Sequence, residues 1–154
     1  MGDGSTRYAS RILLFEPTGR VLLFLEAFPD LPGRAKWITP GGGAEPGETP
    51  HETAVRELHE ETGLIVADLG PIVHSYGFPV SRAGARHSFS HWDFFVHAVD
   101  APFEPSHELW TAEERQTIKD VGWWSADELR QLHQGYAPFD LVDLVERFRP
   151  RLPA

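Results

Sequence analysis

The chain has no cysteine among its 154 residues. That excludes disulfides, thiolate zinc sites and cysteine nucleophiles together. It is also short of cations: 14 lysines and arginines stand against 23 acids, a formal net charge of -9. Such a balance argues against a surface built mainly to bind polyanions. Any phosphate recognition must be local, through a few arginines, backbone amides or bound cations. Long hydrophobic runs are missing too. The first apolar stretch, Ile12 to Phe15, stops at Glu16, which is too short for a signal h-region or a membrane span. A cytoplasmic location is therefore expected, with no membrane partner. No repeat, low-complexity tract or linker interrupts the chain, so a single domain over residues 1–154 is expected.

What is present is an ordered succession of short apolar segments. "SRILLF" and "RVLLFLE" flank the turn "EPTG" and read as a hairpin. "AFPDLPGRAKW" is loop, and "WITP" is a short strand running into three glycines. A helix follows with Thr49 as N-cap, Pro50 at the first helical position, Glu52 completing a capping box and Gly63 as the stop. "LIVADLGPIVHSYGF" reads as one or two strands, "PVSRAGARHS" as a polar loop and "HWDFFVHAV" as a strand. "SHELWTAEERQTIKD" is expected to be loop with a helical turn before the strand "VGWW". "SADELRQLH" opens on a second capping box, Ser125 and Glu128, and "DLVDLVERFRP" is an amphipathic closing helix carrying Leu141, Leu144, Val145 and Phe148 on one face. The order of strands and helices predicts a mixed α/β domain.

The first helix raises a chemical question. Glu57, Glu60 and Glu61 fall at i, i+3 and i+4 and so share one face, where like charges repel. A solvated acidic surface is one reading. Against it, the helix has no lysine partners, and its acids lie toward the C-terminal end, where the macrodipole disfavours anions. A bound divalent cation would offset both costs, and carboxylates without His or Cys suit a hard ion, magnesium or manganese.

The surrounding residues form a longer pattern: Gly42, five residues, Glu48, seven residues, then Arg56-Glu57-Leu58-His59-Glu60-Glu61-Thr62-Gly63-Leu64. This stretch resembles the signature of the Nudix hydrolase superfamily at every defined position. The leading hairpin, "WITPGG" and "WWSADEL" resemble the family layout as well. The resemblance implies an α/β/α sandwich with a mixed central sheet. It implies hydrolysis of a nucleoside diphosphate linked to another moiety, with Mg2+ or Mn2+ as cofactor and a small-molecule nucleotide, not a nucleic acid polymer, as substrate. Carried onto this chain, it makes Glu60 and Glu61 metal ligands and Glu57 a ligand or the group that orients or deprotonates water. Arg56 holds a carboxylate, Glu48 or Glu57, in place. Gly41, Gly42 and Gly43 allow close approach of the backbone to the metal–phosphate site. Glu45 is a further ligand in some members.

Other residues are weaker candidates. A late-loop glutamate often assists in this family, which makes Glu113, Glu114 and Glu108 candidates here. Arg82 and Arg86 can clamp a phosphate or simply be solvated. His87 and His91 have the spacing of paired ligands but are expected to be structural or substrate-facing. Trp37, Phe28, Phe89 and Trp92 can stack a base or belong to the core. Trp123 and Trp124 alternate along a strand, so one should be buried and the other line the opposite face.

Three other functions compete with the enzyme reading. A catalytically inactive ligand-sensing or interaction domain typically loses box glutamates, and this chain keeps them. Isopentenyl-diphosphate isomerase has a similar fold but depends on cysteine. A decapping role would call for a basic RNA groove. The box does not specify the moiety attached to the diphosphate. Pro79, fifteen residues beyond Leu64, resembles the ADP-ribose pyrophosphatase subgroup; a housecleaning enzyme for non-standard nucleoside triphosphates is the competing reading. Monomer and homodimer both remain open.

Overall fold

The structure is a computed structural model that describes residues 5–27, 33–80 and 85–150. At its centre lies β1 (Thr6–Phe15), whose residues from Ala9 to Phe15 are all buried. A strand with both faces covered reads as a continuous apolar run, which is what "ILLF" is. β1 runs parallel to β6 (Phe89–Ala98) over its full length, from Thr6↔Phe89 to Phe15↔Ala98. β5 (His74–Pro79) adds antiparallel to the far edge of β6.

The other edge of β1 is shared. β2 (Val21–Glu26) meets it only at Phe15↔Val21, and the glycine strand β4 (Gly41–Gly43) pairs with it over Ala9 to Arg11. The expected hairpin therefore exists at its turn and then splays apart. β2 instead pairs antiparallel with β3 (Lys36–Ile38) and with β7 (Ile118–Trp124), while β8 (Gly135–Ala137) runs parallel to β3. The result is one mixed, eight-stranded sheet.

Alternation of side chains gives the sheet two apolar faces. On one, Ile12, Leu14, Leu22, Phe24 and Phe95 pack beneath Ala54 and Leu58 of α1 (Pro50–Thr62). On the other, Ala9, Leu13, Phe15, Leu23 and Phe94 pack against Leu129 of α3 (Ala126–Arg130) and against Leu141, Leu144 and Val145 of α4 (Leu141–Phe148). α2 (Ala112–Thr117) leads directly into β7. This is the expected α/β/α sandwich.

Trp123 and Trp124 divide between the two cores, and both are half-buried because both faces of the sheet are covered. One expected strand is shorter: residues 64–73 are irregular. Asp68 accepts a hydrogen bond from the Gly70 amide at 2.8 Å, a local turn, and Gly70 has a positive φ of 71°. Among the described residues, no helix is long and apolar enough to cross a membrane.

Candidate active site

The site begins with the glycines of β4. Gly41 has φ 149°, and a Cβ there would lie 2.1 Å from the Ser10 carbonyl oxygen of β1. Only a glycine can hold the chain this close to the central strand. The Ser10 hydroxyl donates to the Pro50 carbonyl at 2.7 Å, tying β1 to the start of α1. α1 itself is closed at both ends. Thr49 accepts from the Glu52 amide, Glu52 accepts from the Thr49 amide, and Gly63 stops the helix in the left-handed conformation. The glycine strand is thereby set beside the acidic face of the helix.

Arg56 organises the carboxylates. Its Nε and Nη2 donate to the two oxygens of Glu48 at 2.7 and 2.9 Å, a bidentate pair. Nη1 donates to Glu57 at 3.0 Å and Glu60 at 3.1 Å, and Nη2 also reaches the Gly43 carbonyl at 3.0 Å. The hydrogen bond from Arg56 pulls the Glu48 carboxyl down to about 2. The same bond holds Arg56 firmly protonated.

Beyond Arg56 the environment reverses. Glu61 is buried, 3% exposed, and its Oε1 accepts the Gly41 amide at 3.2 Å. Burial, then the charge of Glu57, pushes its carboxyl well above the ordinary value. Glu57 is also raised, first by burial, although Arg56 opposes the shift. Glu114 completes the group: one carboxylate oxygen from each of Glu57, Glu61 and Glu114 lies within 4.8 Å of the others. Among the described residues, no lysine or arginine forms an ion pair with Glu61 or Glu114. Like charges gathered round a buried carboxylate repel unless a cation or proton joins them. The donor set is oxygen only, so it fits a hard divalent ion.

The remaining sequence candidates fall in different places. Glu60 reaches back one turn to Arg56, and Glu45 is mostly exposed, 3.9 Å from Arg56; both stand outside the three-carboxylate group. Glu114 is oriented by its own capping box, in which it accepts from the Thr111 amide at 2.8 Å. Glu113 lines a cleft, whereas the Glu108 carbonyl merely receives Arg115. His87 bonds Ser5 and His91 bonds Asp93, so the two do not converge as ligands. Arg82 and Phe28 lie outside the described residues.

The cleft, of about 730 Å³, lies beyond Arg11, which stands against Gly41; none of Glu57, Glu61 and Glu114 lines it. Arg7, Arg11, Lys36 and Arg86 line it with Glu26 and Glu113, and Tyr76, Phe78, Tyr136 and Phe139 form its aromatic wall. Trp92 cannot offer this cleft a free stacking face: it is 8% exposed, and the Arg11 guanidinium lies 4.7 Å from its ring centroid. Trp37 is buried against Trp124, and Phe89 lies over Gly77. The accessible ring is Phe139, 74% exposed and 5.6 Å from Tyr76. Sequence reading missed Arg11, Glu26 and the aromatic wall. The signal for the first two was a charge inside or ending an otherwise apolar strand, "SRILLF" and "VLLFLE". Burial raises the Glu26 carboxyl as well.

A mixed sheet between helices, with a glycine-flanked acidic helix beside a cleft, defines a class of protein that comparison identifies directly. Residues 5–142 match the NUDIX domain, and the chain belongs to that family. It is 42% identical over 59 residues to an RNA pyrophosphohydrolase of Erythrobacter litoralis, covering 38% of this chain and 35% of that protein. It is 46% identical over 44 residues to mouse diphosphoinositol polyphosphate phosphohydrolase 3-alpha, covering 29% and 24%. The matched segments thus span about a third or less of these relatives. Among solved structures, a MutT protein from Methanosarcina mazei superposes with TM-score 0.69 at 21% identity over 96% of each chain. The NUDIX domain of Shewanella oneidensis NrtR, complexed with ADP ribose, gives TM-score 0.66 at 21% identity over 97% of this chain and 90% of that one. These likenesses establish the fold.

Proposed function

We propose that the chain is a metal-dependent pyrophosphohydrolase cleaving a phosphoanhydride bond in a nucleoside diphosphate derivative. The observation that carries this reading is the convergence of Glu57, Glu61 and Glu114, of which only Glu57 has an ion-pair partner among the described residues, beside the glycine strand. Glu57, Glu61 and Glu114 would hold magnesium or manganese, with Glu60 one hydrogen bond away on Arg56. When bound, the ion neutralises the diphosphate and lowers the pKa of bound water.

The protein's own contribution is placement. Arg56 fixes one oxygen of Glu57, which sets the direction of a carboxylate that would bind the ion or orient the attacking water. Burial raises the Glu57 carboxyl above its ordinary value, against the pull of Arg56. Glycines 41–43 keep side chains out of the space the phosphates need. The aromatic wall and Phe139 supply apolar faces for a nucleoside.

The test is turnover of a panel, ADP-ribose, nucleoside triphosphates and a phosphomonoester, with magnesium, manganese and excess EDTA. Cleavage of an anhydride that stops in EDTA is expected. AMP plus ribose 5-phosphate from ADP-ribose would mark a sugar-linked diphosphate as substrate; monophosphate plus pyrophosphate from a triphosphate would mark the alternative. Phosphate release from the monoester alone overturns the reading.

A further inference from the structure

Arg11 is an unusual cation. It sits in the middle of β1, is only 7% exposed, and lines the cleft. Its Nη1 donates to the Thr39 carbonyl at 3.1 Å, yet its buried Nε–H has no hydrogen-bond partner. Among the described residues, no carboxylate lies within ion-pair distance of it, in contrast to Arg56, which has four. Trp92 supports one face of the guanidinium. Glu26 and Glu61 act on the guanidinium through space without bonding it, and a buried donor left without a hydrogen bond is costly.

Its position gives the charge a use. The Cδ of Arg11 lies 2.8 Å from where a Cβ on Gly41 would stand, and the Gly41 amide donates to Glu61. Arg11 is therefore separated from the carboxylate group by a single glycine residue. Two phosphates joined by one bridging oxygen span a comparable step. The Trp92 ring that Arg11 stacks on has its centroid 5.1 and 6.3 Å from those of Phe78 and Tyr76. A run of contacts thus leads from Glu61 through Gly41 and Arg11 to the rings that line the cleft.

We propose that Arg11 is a substrate-contacting residue that takes the phosphate on the nucleoside side of the one held at the carboxylates. The inference rests on the diphosphate reading above and adds the orientation of the substrate: nucleoside toward Tyr76, scissile end toward Glu57. It also assigns Trp92 the task of holding the arginine flat, so that its fork faces the anion.

The experiment measures binding and leaves hydrolysis aside. Calorimetric titration with α,β-methylene-ADP, which cannot be cleaved at that bridge, is run with magnesium on the wild-type protein, R11K and R11Q, with adenosine titrated in parallel. R11Q is expected to raise the Kd of the analogue about tenfold or more, with R11K intermediate, while the Kd for adenosine stays unchanged in both. An unchanged Kd for the analogue overturns the proposal. So does an equal loss of adenosine binding, which would make Arg11 a support for the cleft wall. Should R11Q fail to fold, R11K carries the same test, because a lysine keeps the charge and loses the flat stack. Absence of turnover across the substrate panel would remove the proposed reaction and leave this binding result standing.

Discussion

Gly42 stands against Glu57: a Cβ placed on the glycine would lie 2.5 Å from the carboxylate carbon of that glutamate. Nothing in α1 requires this contact. It exists because β4 is pinned to β1 at Ser10↔Gly42 while α1 is pinned to the same serine through Pro50. The glycine and the glutamate, fifteen residues apart, are two walls of one space.

Gly42→Ala and Gly41→Ala should therefore fail in different ways. The methyl on residue 42 meets the end of a side chain, so Glu57 is displaced and turnover falls while the melting temperature holds. The methyl on residue 41 meets the Ser10 carbonyl at 2.1 Å with φ 149°. That is backbone strain on the order of 1–3 kcal/mol or more, read as a lower melting temperature. Equal effects of the two on thermal unfolding would contradict this assignment.

Glu61→Gln removes one of the buried like charges. Turnover should drop by orders of magnitude, yet stability in chelator should hold or rise because repulsion within Glu57, Glu61 and Glu114 is relieved. Adding magnesium should raise the melting temperature of the wild-type protein and leave that of the variant nearly unmoved. A collapse of Glu61→Gln in chelator would make the residue structural.

Acid should act on the metal-free protein in two opposed windows. Glu61 has a folded pKa above its ordinary 4.5, so its contribution to stability grows as pH falls through that raised value and levels off near 4.5. Glu48 is lowered to about 2 by Arg56, so its contribution is complete above 4.5 and is lost as pH falls toward 2. Burial lowers His97, so its contribution is complete above its ordinary 6.5 and is lost as pH falls through the lowered value. The readout is accordingly the difference between wild type and Glu61→Gln. In EDTA the wild type should gain on the variant as pH falls through the raised Glu61 value, and the gain should level off near 4.5, the ordinary carboxyl value. Thermal scans of both proteins at closely spaced pH values measure it; a difference independent of pH above 4.5 would refute the buried-charge account.

Thr49→Ala tests the helix alone. Its hydroxyl accepts from the Glu52 amide at 3.1 Å and lies away from the carboxylate group. Loss of the cap should cost about 1 kcal/mol in denaturant unfolding, with kcat changed little. A large fall in kcat at unchanged stability would show that the cap reaches the chemistry.

The local chain determines α1 without help from packing. Thr49, Pro50, Glu52 and Gly63 are start and stop signals that act within a few residues, and the i, i+3, i+4 spacing of Glu57, Glu60 and Glu61 follows from helix geometry. The capping boxes at Ser125 and Thr111 are equally local, although only the first was recognised in the sequence. Tertiary structure decided what those carboxylates meet. Glu61 and Glu60 are neighbours in sequence, yet one is buried with Glu114 and the other is half-exposed on Arg56, because only one of them points at the sheet. Glu114 arrives from more than fifty residues away on a helix held by the β2–β7 pairing, and Arg11 meets Trp92 only through the parallel register of β1 with β6. Pairings of that length have no local signature: they form because two apolar faces must be covered at once, and the partner is chosen by the whole chain.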